Sequence, residues 1–255
     1  MNKNPIYLIV WLLCLAGGLG AQNLPKPRVE LGRARVAPNR ELVLSMVDPE
    51  KHPRDADDEL YTCPDQTRGH YYSGVATVSL IDVRTKKTIN EIEITGDGFS
   101  DGNVIDLPYL IKKGYYNVPR VDKNGEGKPV LIKLQDYNGD GRAQEFALFD
   151  AVACMGLETT LIGYSARQDK VVQYQTELAT SDGTSKEYWV DYLFGQRPVK
   201  PGVWKYQIDY RGRGGALEKY EIRYDRKKEM FYGTRKSIFE EDKEEDKTER
   251  KPPNK

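Results

Sequence analysis

The sequence predicts an all-β domain, most simply an antiparallel β-sandwich. Nearly every periodic segment alternates apolar and polar residues with period two, as half-buried strands do. Turn and loop residues recur every 8–12 positions or so, a spacing typical of sandwiches and small propellers. A propeller would show a repeat of about 40–45 residues, and this sequence shows only very weak internal similarity of that kind. The small propeller is therefore the alternative architecture.

Alternation along the chain places the individual strands. Trp204, Tyr206 and Ile208, for example, are separated by charged or polar residues, which is typical of a strand with one face in water. Residues 211–215 follow as a glycine-rich hairpin loop. On the same reasoning, strands are expected at 28–36, 41–47, 76–83, 88–94, 130–135, 145–152, 159–164, 171–178, 187–194, 204–210, 219–225 and 229–232.

Residues 1–21 predict a secretory signal peptide. Lys3 precedes a short apolar core at 6–16, and small residues at 17–21 lead to cleavage before Gln22. The apolar run is shorter than the roughly 20 residues that a transmembrane helix needs, so no membrane span is expected after cleavage. Cys14 lacks the small neighbour of a lipidated cysteine. The mature chain is thus expected in the periplasm or outside a Gram-negative-type bacterium.

The mature chain divides into a domain at 22–233 and a charged tail at 234–255. Almost nothing apolar follows Phe239, so the tail is expected to be disordered. Positive and negative charges balance over the whole chain, and this excludes a basic surface for nucleic acid of the usual kind.

Cys63 and Cys154 remain after signal cleavage, and an exported protein with two cysteines is expected to join them in a disulfide. The bond would close a loop of about 90 residues, which the chain-entropy model values at roughly 4–5 kcal/mol. The alternative is a nucleophilic Cys63 assisted by His70, with Asp65 nearby.

An acidic loop at 136–145 is the most specific feature of the chain. Asp136, Asn138 and Asp140 place oxygens at loop positions 1, 3 and 5, and Gly141 stands at position 6. A short loop wraps a hard cation with this spacing, since alternate residues point inward and glycine allows the sharp turn. The donors are all oxygens, which favours calcium over zinc or copper. The alternative is a plain Asn-Gly hairpin turn with solvated aspartates.

Residues 130–143 resemble the strand–loop–strand element of FG-GAP and VCBS-type secreted bacterial proteins, and they are similar to EF-hand-like and dockerin-type calcium loops. The resemblance covers about 20 residues. It implies that Asp136, Asn138 and Asp140 bind calcium through their side chains. Arg142 would bind it through its backbone carbonyl.

The fourth side-chain ligand stays open, because the loop departs from both patterns. FG-GAP loops carry an acidic residue at position 9, where this chain has Gln144, and EF-hands carry glutamate at position 12, where it has Ala147. Glu145 is the nearest carboxylate and the candidate we adopt; Gln144 and Asp150 are the other two.

No catalytic constellation emerges from the remaining residues. His52 and His70 share an aspartate-rich segment and are alternative candidates for a second metal site or an acid–base pair. A sugar-binding platform is a further alternative, built from Tyr71, Tyr72, Tyr115, Tyr116, Trp189 and Trp204.

The sequence therefore predicts an exported calcium-binding protein of the bacterial envelope, with a binding or structural role, a protein or glycan partner and no catalysis. The alternative is a secreted hydrolase that acts on glycans or other extracellular polymers. Such an enzyme would hold two carboxyl groups in one aromatic-lined cleft, about 5–10 Å apart.

Overall fold

Fourteen β-strands and two short 3₁₀ turns make up the regular structure of the residues described by the computed structural model, which are 26–52, 71–96, 102–107, 116, 118–120, 127–152 and 156–239. No α-helix occurs in those ranges, and the all-β, sandwich-like class is confirmed. The strands are β1 (Arg28–Ala37), β2 (Arg40–His52), β3 (Tyr71–Asp82), β4 (Thr88–Glu93), β5 (Val104–Leu107), β6 (Glu145–Val152), β7 (Gly156–Ser165), β8 (Lys170–Gln173), β9 (Thr176–Thr180), β10 (Gly183–Glu187), β11 (Trp189–Asp191), β12 (Val203–Asp209), β13 (Leu217–Asp225) and β14 (Met230–Ile238).

The strands form three sheets. The first sheet has the order β1-β2-β3-β4, and β5 also pairs with β3. The second sheet has the order β11-β7-β6, and β8 pairs with the other end of β7. The third sheet has the order β10-β9-β14-β13-β12, and its β14–β9 pair is parallel whereas the others are antiparallel. Most strands that are neighbours in sequence are thus neighbours in a sheet.

One hydrophobic core joins the three sheets. Hydrogen bonds between the sheets supplement it, because loops and short strands leave polar groups to be satisfied there. Asn90 in the middle of β4 exchanges two hydrogen bonds with the backbone of Val171 in β8, of 2.9 and 3.0 Å. The hydroxyl of Tyr206 in β12 donates to the carbonyl of Asp191 in β11, at 2.7 Å.

Two predicted strands are each divided in the structure. The segment at 171–178 separates into β8 of the second sheet and β9 of the third, with residues 174–175 crossing between them. The segment at 187–194 contains only the short β11 and then the 3₁₀ turn Leu193–Gly195. Alternation continues through both segments because both sheets bury the same kind of side chain, so the pattern does not reveal the change of sheet.

The predicted strand at 130–135 is wrong. Only isolated bridges form there, one at Val130 and one between Gln135 and Glu145. The apolar residues of this segment instead pack against the first sheet. Leu131 and Ile132 are buried, and Ile132 lies over Gly32 of β1. The apolar pattern correctly predicts that these residues are buried. They are buried by side-chain packing, however, and not as part of a paired strand.

The boundary predicted at 233 is also wrong, since β14 continues through residues 234–238. The pairing of β14 with β13 along its whole length explains the extension. The signal peptide at 1–21, both cysteines of the predicted disulfide, and residues 240–255 of the tail lie outside the described residues. Within the described ranges, no helix has the length and hydropathy needed to cross a bilayer.

Candidate metal centre

The acidic loop is closed at its base by a pair of backbone hydrogen bonds. Gln135 and Glu145 exchange them, at 2.8 and 3.3 Å, so the loop begins directly after one residue and ends at the first residue of β6. This closure fixes the two ends of the loop side by side. The donor residues between them therefore face one another across a small space.

All three predicted side-chain ligands bind backbone N–H groups of the loop. Asp136 accepts three such bonds, from Gly139 and Asp140 on Oδ1 and from Gly141 on Oδ2, at 2.8–3.0 Å. Asn138 Oδ1 accepts from Asp140 at 2.9 Å. The loop is thus folded around the oxygens that the sequence placed at alternate positions, as a cation-binding loop requires.

Positive backbone φ angles allow this conformation. Gly139 has φ of +73° and Gly141 has φ of +90°, in the left-handed region that favours glycine. At Gly139 a side chain is excluded on a second ground, since a Cβ would lie 2.7 Å from the carbonyl oxygen of Pro201. The two glycines therefore provide both the turn and the close approach to the segment before β12.

Glu145 is completely buried and holds the loop from inside the protein. Its Oε2 accepts N–H groups of Tyr137 at 3.0 Å and Asn138 at 3.5 Å, and its Oε1 accepts the Asn138 side-chain amide at 2.8 Å. Because that amide donates to Glu145, the Asn138 oxygen is turned toward the loop. Glu145, the fourth ligand predicted above, lies where it orients Asn138, one of the three predicted ligands.

Burial strongly affects this carboxyl group. Loss of hydration raises the pKa of Glu145 to about 8, although the N–H groups of Tyr137 and Asn138 lower it. The negative charges of Asp140 and Asp136 raise the pKa further. Three carboxyl groups thus act on one another around the loop, and a cation between them would relieve that repulsion.

The other candidate ligands lie in different places. Arg142 donates its N–H to Asp140 Oδ1 at 2.8 Å, and its carbonyl accepts the Gln144 N–H at 3.1 Å. The side chain of Gln144 reaches away from the loop to the carbonyl of Val36 in β1, at 2.9 Å. Asp150 lies five residues beyond Glu145 on β6, about 17 Å along a strand, so it does not belong to the site.

The donor set fits a hard cation of the calcium type. Asp136 and Asp140 contribute carboxylates, Asn138 an amide oxygen and Arg142 a carbonyl oxygen. Only two of these are acidic side chains, and the described residues contain no group of three or more His, Cys, Asp or Glu side chains arranged for a metal. A site with so few charges binds calcium weakly, as extracellular modules do, with Kd of about 10⁻⁴ to 10⁻³ M.

Contacts with the third sheet hold the loop in place. The ring of Tyr137 stacks on Trp204, with centroids 6.5 Å apart, and meets Phe194 edge-on at 5.7 Å. The guanidinium of Arg226, in the turn between β13 and β14, donates to the carbonyl of Gly139. Tyr137, which lies between the predicted ligands Asp136 and Asn138, therefore anchors the loop in the core.

The remaining sequence candidates do not assemble a site in the described residues. His52 stacks on Tyr71, with centroids 4.8 Å apart, while His70 and Tyr115 lie outside the described ranges. Both tryptophans of the suggested sugar platform are buried, as are two of its tyrosines, so these side chains belong to the core. Those residues are Trp189, Trp204, Tyr71 and Tyr116.

A cluster that the sequence did not reveal lies on the third sheet. The hydroxyl of Tyr220 is within 3.5 Å of Asp191 Oδ2 and also hydrogen-bonds to Glu218. The ring of Tyr206 stacks on that of Tyr220, with centroids 4.6 Å apart and planes parallel within 1°. Alternation indicates that Glu218 and Tyr220 share a face, but the approach of Asp191 depends on how two sheets pack.

Comparisons with protein-family models, with curated proteins and with solved structures find no match for this chain.

Replacing Glu145 by alanine is expected to lower the free energy of unfolding by about 2–4 kcal/mol, because buried donors of Tyr137 and Asn138 lose their acceptor. Urea denaturation in EDTA measures the change. The matched control is Glu221→Ala, which removes an exposed carboxylate of β13 and should cost less than about 1 kcal/mol. Equal losses in the two variants would contradict the assigned role of Glu145.

Asp191→Asn is expected to stabilise the protein at neutral and alkaline pH. Burial raises the pKa of Asp191 above its ordinary value of 3.8, and the charge of Glu218 raises it further. The folded state thus favours the protonated carboxyl, so its stabilising contribution is complete below pH 3.8 and is lost as pH rises through the folded pKa. Chemical denaturation across pH should show the advantage of the variant growing with pH; a pH-independent difference would contradict this assignment.

Proposed function

We propose that this chain is an exported, calcium-stabilised protein of a bacterial envelope, with a binding or structural role and without catalysis. One observation supports the calcium assignment above others. The side chains of Asp136, Asn138 and Asp140 accept backbone N–H groups and so give the loop the conformation expected of a cation-binding loop. The buried carboxyl of Glu145 accepts a hydrogen bond from the side-chain amide of Asn138 and so fixes its orientation. A plain hairpin turn needs no such buried support. The signal sequence at 1–21 supports export.

The metal would act on stability rather than on a substrate. Asp136 and Asp140 repel each other and Glu145, and calcium offsets that repulsion where the loop meets all three sheets. Calcium that binds the folded chain alone stabilises it in proportion to occupancy. A weak site becomes occupied at the millimolar concentrations found outside cells, which suits an exported protein.

Millimolar calcium is expected to raise the melting temperature of the mature chain, residues 22–255, relative to EDTA. At about ten times Kd the gain is about 1.4 kcal/mol, or roughly 3–6 °C for a domain of this size. Differential scanning fluorimetry measures the shift. Magnesium should give a much smaller one, because it needs a tighter octahedral site.

Asp140→Ala should abolish the calcium shift. The matched control is Asp225→Ala, since Asp225 accepts backbone N–H groups of its own turn in the same way as Asp140 does. That variant should keep the shift. A calcium shift that survives Asp140→Ala, or no shift in the wild-type protein, would contradict the calcium assignment.

A secreted hydrolase is the second candidate function, and the cluster on the third sheet favours it. Asp191 and Glu218 both reach the hydroxyl of Tyr220, so their carboxyl groups are at most about 7 Å apart, within the range used by glycosidases. The stacked rings of Tyr206 and Tyr220 adjoin them. Burial also raises the pKa of Asp191, and acidic groups with raised pKa values occur in active sites.

Release of reducing ends from a panel of envelope polysaccharides tests this second candidate. The hydrolase account predicts activity that Glu218→Gln reduces by at least about a hundredfold, whereas Asp209→Asn, an exposed control on β12, retains it. Equal activity in both variants would mean that the carboxyl pair is structural.

A further inference from the structure

A cleft of about 440 Å³ opens between β1 and residues 128–132. Its volume lies within the usual range of ligand pockets, about 300–1,000 Å³. Leu31 and Ile132 form part of an apolar lining, and Pro119 and Pro129 add to it. Ile132 packs on Gly32 of β1, with its Cγ1 3.5 Å from the position that a Cβ would take. This contact joins the two walls of the cleft.

Each wall contains some backbone that pairs with no other described residue, although Val130 of the second wall lies in a β-bridge. β1 is an edge strand of the first sheet, so one side of it has no neighbouring strand among the described residues. Residues 131–134 make no backbone–backbone hydrogen bond to another described residue, although Leu131 and Ile132 are buried. Buried unpaired N–H and C=O groups are costly, and an added strand satisfies them.

The rim of this cleft is basic. Arg120 and Lys128 line it, and neither forms an ion pair with a described residue. Arg33 also lines it but is neutralised by Glu30, at 2.5 Å. Glu30 lines the cleft as well, and its pKa is lowered chiefly by Arg33 and to a smaller extent by Lys128. Arg120 is therefore the one cation of this cleft with no carboxylate beside it among the described residues.

A neighbouring cleft of about 310 Å³ shares Val130 and Leu131 with the first. Lys133 and Arg197 line this second cleft, again with no ion pair to a described residue. Val130 stands between the two clefts with 40% of its surface exposed. Four cations thus surround one exposed apolar residue and two concave surfaces, which Glu30 and Asp136 also line.

From these observations we infer that the cleft beside β1 binds an extended acidic peptide of a partner protein, which adds as a further strand to the edge of β1 that has no neighbour among the described strands. Main-chain hydrogen bonds would provide affinity, and the apolar lining would receive every second side chain. Acidic side chains of the peptide would meet Arg120 and Lys128. The inference rests on the binding role proposed above and gives its partner class.

Fluorescence anisotropy with a labelled peptide of alternating glutamate and valine tests the inference at low ionic strength, in EDTA and again in calcium. The same peptide with alternate backbone amides N-methylated keeps its charges but loses N–H donors. Strand addition predicts that N-methylation weakens binding at least about tenfold. Equal binding of the two peptides would overturn strand addition.

Charge reversal on the protein provides a second test of the inference. Arg120→Glu with Lys128→Glu should weaken peptide binding at least about tenfold. The control is Lys219→Glu with Lys236→Glu, an exposed pair opposite each other on β13 and β14, which should change binding less than about twofold. Equal weakening by both double variants would overturn the site.

A sulfated glycan, heparin, is the competing polyanion. Binding of heparin that Arg120→Glu with Lys128→Glu abolishes, together with no binding of the peptide, would overturn the peptide proposal in favour of a glycan. Peptide binding without any calcium-dependent change in melting temperature would contradict the calcium assignment alone. A calcium shift without peptide binding would sink this inference alone.

Discussion

The three sheets meet at the loop of residues 136–145, and a different residue of the loop contacts or joins each sheet. Gln144 bonds to Val36 of the first sheet, Glu145 begins β6 of the second, and Tyr137 stacks on Trp204 of the third. A change in loop conformation would therefore disturb three interfaces at once. The buried carboxyl of Glu145 carries the largest share of this constraint, since it satisfies two backbone donors and one side-chain donor that water does not reach.

The same arrangement gives the loop its chemistry. Folding brings the charges of Asp136 and Asp140 close enough to Glu145 to raise its pKa further, beyond the larger effect of burial, and the loop backbone at Gly139 packs closely on Pro201. A bound cation would lower that repulsion without any rearrangement of the backbone. The proposed calcium site is thus a means of stabilising a joint between sheets, and it leaves the clefts and the carboxyl pair available for other roles.

Much of the fold could be predicted from alternation alone, because most strands bury one face and expose the other. Alternation carries no information about which sheet a strand joins, so the crossing at residues 174–175 and the parallel β9–β14 pair were missed. Alternation also does not distinguish strand pairing from the packing of an unpaired segment, which is why it predicts a strand at 130–135 where only isolated bridges form.

The candidate site was predictable to a similar extent. The oxygens of Asp136, Asn138 and Asp140 follow from spacing within one loop, and all three face the loop. The orienting role of Glu145 depends on its complete burial, and the approach of Asp191 to Tyr220 depends on packing between sheets. Neither relation is local in sequence, so no pattern within a single segment reveals it.

Hydrogen–deuterium exchange of Glu145→Ala against the wild-type protein, both in EDTA, tests most directly whether this loop joins the sheets. The account predicts faster exchange in residues 136–145 and also at the end of β1 near Val36 and the start of β12 near Trp204, while β10 is unchanged. Faster exchange confined to the loop itself would contradict the account.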